Sequence, residues 1–399
     1  MNSDNFPIAI GTPFSCIRIV SALALDKAKD KNFVFSPCLI HLAIGLLANG
    51  STGSTLKELL AFSEAKTLTD LNSVATEIVS RLSNSTEKSP KFSFISGIWV
   101  DRSLSLNPNF KTVIEGVYKG KADTLDFGRK AKEVMNEVNE WAESATNGLI
   151  KSLVSENLFN ERTRLVLANA LYFKGKWERN TFKASNTEKS AFYLLDGMSV
   201  TVPFMTNRYG QFVKVYEDFK VLRIPYEENS GDKQAISFHI ILPNEINGLS
   251  LLSEKLGSDP SLFNEYVGNN TEKIELLEFM IPKFNITYEA EASEILKGVG
   301  LQLSFSDKPE FSEMVQNLDA SDWLKVSKVL HKSSIEVNEE GTEAVAAGSQ
   351  FWDLEACCDS PDSDVTVNFV ADHPFIFAVR DEKSGMVLFM GHVINPSLE

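Results

Sequence analysis

Cysteine is scarce in this chain of 399 residues, which has four: Cys16, Cys38, Cys357 and Cys358. So few cannot staple a fold of this size, which excludes a disulfide scaffold and favours a reducing compartment. Positive charge is also short. The 39 Lys and Arg residues face 54 Asp and Glu, the formal net charge is −15, and no run of consecutive basic residues exceeds two. That opposes nucleic-acid binding, which runs on phosphate neutralisation, and docking on an anionic membrane surface. Long apolar runs are missing as well. The stretch Ile17–Leu25 is too short to cross a bilayer, is followed by Asp26, Lys27 and Lys29, and reads as an amphipathic helix, not a signal peptide. The expectation is a cytoplasmic or nucleocytoplasmic monomer, extracellular only by an unconventional route. The sequons at Asn49, Asn84, Asn269 and Asn285 then read as chance matches.

Linkers, repeats and low-complexity tracts are absent, so residues 1–399 read as one domain despite a length that could fill two or three. Enzyme motifs are absent too. There is no Gly-x-Ser-x-Gly elbow, His-Glu-x-x-His pair, Walker A loop or Gly-x-Gly-x-x-Gly turn. The five histidines, His41, His239, His331, His373 and His392, are scattered. His41 falls in an apolar helical run and His239 in an apolar strand run, where a structural role outweighs a catalytic one. Cys357-Cys358 has no Cys or His partner at zinc-ligand spacing, and a redox-sensitive thiol pair is the alternative reading. The chain therefore reads as a non-enzyme with no metal, no cofactor and no catalytic residue.

What is present is a run of helices followed by a run of strands. Leu39–Ala48 is apolar nearly all round, follows Ser36-Pro37 and stops at Asn49-Gly50, as a buried helix would. Thr55–Leu60 and Leu68–Leu82 have helical spacing, and Val134, Val138, Trp141 and Ala145 mark one face of a helix ending at Asn147-Gly148. Strand-like runs are Phe92–Val100, Arg164–Phe173, Gly210–Tyr226, Ala235–Pro243, Glu275–Tyr288, Lys325–Val337, Val365–Val379 and Met386–Ile394. Helices first and strands later is an α+β pattern.

Between the last strand runs lies the segment Glu339–Asp364, too long for a connector. Its first half is small. Thr342, Ala344, Ala346 and Gly348 alternate with Glu343, Val345, Ala347 and Ser349, so as a strand it would present one face of small residues able to slide between other strands. Its second half is acidic, with Phe351, Trp352 and the cysteine pair. A flexible acidic tether is the plainer alternative.

The run Glu339-Glu340-Gly341-Thr342-Glu343-Ala344-Val345-Ala346-Ala347 resembles the reactive-loop hinge of the serpins, the serine protease inhibitor superfamily. Phe369–Phe377, Gly391–Pro396, Asn169–Trp177 and Asn32–Pro37 resemble further serpin blocks, in order along essentially the whole chain. Gly97–Asp101, Asn136–Glu143 and His331-Lys332-Ser333 before Ile335–Asn338 resemble plant serpins of the Z type. The resemblance implies a single serpin domain with N-terminal helices, three β-sheets and an exposed reactive-centre loop at residues 339–364. It implies a suicide substrate of a serine or cysteine endopeptidase: the loop is cleaved, an acyl-enzyme forms, and the loop inserts into the central sheet. Gly341, Thr342, Glu343, Ala344, Val345, Ala346 and Ala347 would be the hinge, with Thr342 the first side chain buried on insertion. Trp177 would sit in the breach where insertion starts, and Ser36, Asn169 and His331 in the shutter, joined by hydrogen bonds as the strands part.

The chain also departs from the family. The cleaved bond usually follows the fourteenth residue past the hinge glycine, which here gives Glu355 and then Ala356; Leu354 and Asp359 are the alternatives in this long loop. A trypsin-like pocket rejects Glu355, so the implied partner is a protease that prefers acidic residues. Leu39 stands where the family often has a second shutter serine, and Gln350 and Trp352 fall on the face that must enter the sheet. These departures support the alternative of a non-inhibitory serpin acting in binding or storage.

Overall fold

The computed structural model describes residues 12–83, 90–178, 181–228, 234–268, 272–316, 324–342 and 367–398. Among these, nine α-helices form: α1 Phe14–Leu25, α2 Pro37–Asn49, α3 Gly53–Phe62, α4 Leu68–Ser83, α5 Pro108–Gly116, α6 Ala131–Ala145, α7 Leu249–Ser258, α8 Ser261–Val267 and α9 Ser293–Gly298. The earlier strands are β1 Phe33–Phe35, β2 Lys91–Asp101, β3 Lys121–Leu125, β4 Leu165–Lys176, β5 Glu188–Tyr193, β6 Ser199–Met205, β7 Gln211–Val215, β8 Phe219–Pro225 and β9 Ile236–Pro243. The later strands are β10 Lys273–Ile274, β11 Glu278–Pro282, β12 Phe284–Glu291, β13 Lys328–Asn338, β14 Gly341–Thr342, β15 Asn368–Val370, β16 Phe375–Asp381 and β17 Val387–Val393.

They assemble into three sheets, which makes the fold α+β. A central sheet has the order β12-β13-β14-β4-β2-β3, a second β1-β17-β16-β9-β8-β7-β10, and a third β15-β11-β6-β5. Helix α2 packs against β17 of the second sheet and against β2 and β4 of the central sheet. This explains its all-round apolar sequence, since all but one of its residues are buried. Pro37 opens it at the first helical position, where its missing N–H is not needed. Helix α6 ends as its sequence suggests, because Asn147 and Gly148 take left-handed backbone at φ 51° and 82°. Its buried face is Val134, Val138 and Ala142, with Trp141 half-buried and Ala145 exposed, so the inner stripe is shifted from the one read in the sequence.

Three continuous strand runs in the sequence prove to be two strands each. Gly210–Tyr226 turns between β7 and β8. Glu275–Tyr288 leaves the third sheet as β11 and enters the central sheet as β12. The last run divides between β15 of the third sheet and β16 of the second. Asn49, the first sequon, has its side-chain amide engaged by Gly45 Oand Asn72 Oδ1, both 2.8 Å away.

Four histidines lie in the core, and burial depresses the pKa of each. His41, His331 and His392 are held at about 4, 3 and 4. His239 is also lowered by burial, although its contact with Glu382 pulls the other way. In the unfolded chain a histidine titrates near 6.5. Below that pH the unfolded state takes up protons that the native state refuses, so native stability is fully present above about 6.5 and falls as the pH drops. Each such histidine contributes a loss of about 1.4 kcal/mol per pH unit. The urea midpoint should therefore fall steadily between pH 7 and pH 5, and His41→Leu should flatten the slope. A midpoint constant over that range would contradict the buried, neutral assignment.

Candidate functional site

The central sheet contains a seam. Strands β13 and β4 run parallel and pair directly from Lys328–Ser334 against Val166–Tyr172. Above this they separate, and β14 lies between them. Gly341 and Thr342 pair with Lys176 and Gly175 of β4 on one side and with Asn338 and Val337 of β13 on the other. The chain leaves β13, turns through Glu339-Glu340, and returns as the first residues of a strand aimed down the seam. Any extension of β14 would have to break the β13–β4 pairs beneath it.

Gly341 is required there. Its φ is +144°, and a Cβ would lie 1.9 Å from the Gly175 carbonyl oxygen and 2.7 Å from Lys176 Cα. Both obstacles are backbone, which cannot swing aside. Thr342, expected to be buried only on insertion, is already fully buried between the strands. Its Oγ1 is 2.6 Å from Tyr226 Oη. Burial pushes the Tyr226 phenol pKa upward, so the group stays protonated and able to share this hydrogen bond.

Trp177 braces the same point. Its indole N–H donates to Asn338 O at 2.7 Å and its backbone N–H to Glu340 O at 3.1 Å, so one residue holds both ends of the turn. Its ring stacks on Tyr226 at 4.6 Å and 14° and meets Phe182 and Phe238 edge-on. Aromatic pairs of this kind add about 0.5–1.5 kcal/mol beyond area burial. Glu339 fastens the turn to Lys283, between β11 and β12, through Nζ at 2.7 Å and to Thr187, just before β5, through Oγ1 at 2.7 Å. Burial pulls the Glu339 pKa up, but the bonds from Lys283 and Thr187 outweigh it and hold the carboxyl below its usual range.

Lower on the seam, Asn169 of β4 and His331 of β13 are register partners. His331 Nε2 accepts from the Ser36 backbone N–H at 3.1 Å, with Ser333 Oγ at 2.9 Å, and its ring lies 4.1 Å from that of Phe35. An accepting Nε2 puts the ring proton on Nδ1. Asn169 does not bond His331; its Oδ1 accepts from Ser96 Oγ at 2.7 Å. The Asn169 amide N–H groups and His331 Nδ1 have no partner among the described residues. Each such buried donor costs roughly 1–3 kcal/mol. The seam thus carries one unsatisfied donor group on each strand at the same level. Leu39, in place of a second serine, is fully buried in the core. Nearby Cys38 has its thiol pKa pushed up to about 11 by burial, which leaves it unreactive.

The seam is also covered. Val134, Val138 and Ala142 of α6 belong to one buried apolar cluster with Ala168 and Ala170 of β4 and Leu330 of β13. Asn139 pins the connector after α6, accepting from Leu153 and Val154 N–H at 2.8 and 2.9 Å and donating to Val154 O at 2.9 Å. Across the seam, Lys332 Nζ on β13 donates to Ser152 O of that connector at 2.6 Å and to Glu289 at 2.6 Å.

Of the residues singled out in the sequence, the fold gathers Gly341, Thr342 and Trp177 at the top of the seam and Ser36, Asn169 and His331 below. Glu343, Ala344, Val345, Ala346 and Ala347, the bond Glu355–Ala356, and Cys357 and Cys358 lie outside the described residues. No role at the seam is legible in the sequence for Tyr226, Lys283 or Lys332. Each acts on a residue far along the chain, and no local pattern marks such a pairing.

A sequence profile described as "Serpin (serine protease inhibitor)" matches residues 14–396. Serpin-Z10 of Arabidopsis thaliana is 42% identical over 384 residues, covering 96% of each chain. Serpin-ZX of Hordeum vulgare is 41% identical over 395 residues, covering 98% of this chain and 97% of its own. Among solved structures, the native stressed conformation of AtSerpin1 from Arabidopsis superposes with a TM-score of 0.87 at 38% identity, covering 96% of this chain and 97% of that one. The chain therefore belongs to the serpin family, protease inhibitors and not enzymes, with plant serpins among its relatives.

Proposed function

We propose that the chain is a suicide-substrate inhibitor of an endopeptidase, trapping its target by inserting the cleaved reactive loop as a new strand between β4 and β13. The observation that carries this is the position of β14, already paired on both sides with Thr342 buried between the strands. In the proposed sequence the protease nucleophile attacks the carbonyl of the reactive bond. The bond to the following residue breaks, the new amino terminus leaves with a proton, and an acyl-enzyme remains on the hinge side. The freed segment then extends β14 down the seam, breaking the β13–β4 pairs and replacing them with two new ladders. The alternation from Thr342 to Gly348 in the sequence supports this, because on insertion only the small side chains of Thr342, Ala344, Ala346 and Gly348 would have to face the interior. Glu355–Ala356 is the proposed reactive bond and an acid-directed serine or cysteine protease the proposed target. The buried free thiols of Cys16 and Cys38 are compatible with a reducing cytoplasmic or nucleocytoplasmic setting. The non-inhibitory reading draws on Gln350 and Trp352, bulky groups on the inserting face.

Incubation with a panel of Asp- and Glu-directed proteases should yield an SDS-resistant complex with at least one of them. Thr342→Arg should be cleaved without being trapped, since an arginine cannot be buried against Tyr226 without a partner for its charge. Cleavage of the native sequence by every protease with no trapping would refute inhibition. A further expectation concerns the clamp over the seam. Lys332→Ala removes a charge-assisted hydrogen bond, worth roughly 1.5–3 kcal/mol when fully engaged and less at this half-buried site. Uptake of a labelled peptide with the Thr342–Gly348 sequence should accelerate roughly 3- to 10-fold. An unchanged rate would show that the connector does not gate the seam.

A further inference from the structure

A groove lies on the second sheet, where the β7–β8 turn, the end of β9 and helix α7 meet. It has a volume of about 560 Å³. Its floor is Phe219, Pro243, Leu251 and Leu252. Three large apolar residues are exposed in this neighbourhood: Leu251 at 67%, Val215 at 51% and Ile246 at 45%. Val215 ends β7, just before the turn, and Ile246 follows the lining residue Glu245. Of the three, Leu251 lines the groove itself, and an exposed apolar side chain at a concavity is a mark of an interaction surface.

The rim has one sign. Glu217, Asp218, Glu245 and Glu254 line the groove against a single ammonium, Lys255. That lysine shows what the groove accepts. Its Nζ lies 3.9 Å from Asp218 and sits over the rings of Phe219 and Tyr266 at 5.7 and 5.8 Å. A cation here is therefore received by a carboxylate on one side and aromatic faces on the other. A second copy of this chain is a poor occupant, because its net charge of −15 repels an acidic rim.

We propose that this groove docks a cationic amphipathic segment of a partner protein. An apolar side chain of the segment covers the exposed Leu251 above the buried Leu252 and Phe219, and its Lys or Arg residues meet the four carboxylates. The surface goes beyond inhibition, since it uses no residue of the reactive loop. It is nevertheless tied to the loop's far end. Lys220, the neighbour of Phe219 on β8, donates to the Asn368 carbonyl at 3.0 Å, at the start of β15.

The test needs no protease. A fluorescein-labelled amphipathic Leu/Lys helical peptide is titrated with the full chain at physiological salt and followed by anisotropy, beside an oligolysine peptide of the same charge. The Leu/Lys peptide should bind saturably and more tightly than oligolysine. Leu251→Ser and Glu254→Lys, both exposed, should each weaken binding about tenfold, while Glu143→Lys on the outer side of α6 should leave it within twofold. Equal binding of oligolysine, equal weakening by Glu143→Lys, or no effect of Leu251→Ser would reduce the interaction to bulk charge and overturn the proposal.

Discussion

The parallel pairing of β4 with β13 is the interaction on which the rest of the molecule depends. A parallel ladder in the middle of a sheet normally signals a finished core. Here its upper end is held open by β14, and its middle pair, Asn169 and His331, keeps buried donors unsatisfied. Two strands that pair directly while leaving buried donors without acceptors have not reached the arrangement their side chains favour. An intervening strand would supply a second set of backbone partners to each edge. Under the proposed mechanism the closed seam is a state protected by a barrier, with persistence set by rates and not by the depth of the free-energy minimum.

The barrier has identifiable parts. Trp177 and Glu339 fix the turn that aims β14 at the seam, Tyr226 holds Thr342, and α6 shares an apolar cluster with residues of both strands below. Lys332 joins the covering connector to the far strand. None of these contacts is strong alone, and partly exposed ion pairs contribute little. Under that mechanism opening is concerted, because β14 would advance only after the β13–β4 pairs beneath it and the connector held by Lys332 have moved. In the proposed mechanism, cleavage of the loop would release one end of this assembly and leave the turn at Glu339-Glu340 in place.

Much of this was legible in the sequence, for physical reasons. The apolar run of α2 and the stop at Asn147-Gly148 follow from local periodicity and backbone preference. The small-residue alternation after Gly341 shows that a strand could enter a crowded space. Gly341 itself is explained by its close approach to Gly175, which only the fold reveals. The sequence could not show that Thr342 is seated before cleavage, nor that the runs at 210–226, 275–288 and 365–379 each divide between strands. The first run is a hairpin within the second sheet and the other two cross between sheets, outcomes decided by long-range pairing. Glu339 with Lys283, and Thr342 with Tyr226, are long-range pairs that leave no trace in local spacing.

The central claim is that the closed seam is a less stable arrangement than one with the loop inserted. It is tested most directly by nicking the loop with a protease that is not trapped, removing that protease, and comparing the thermal unfolding of the nicked and intact proteins. Insertion predicts a nicked form that melts far above the intact one, with protection from hydrogen exchange increased along β4 and β13. A nicked form that melts at or below the intact temperature would contradict it.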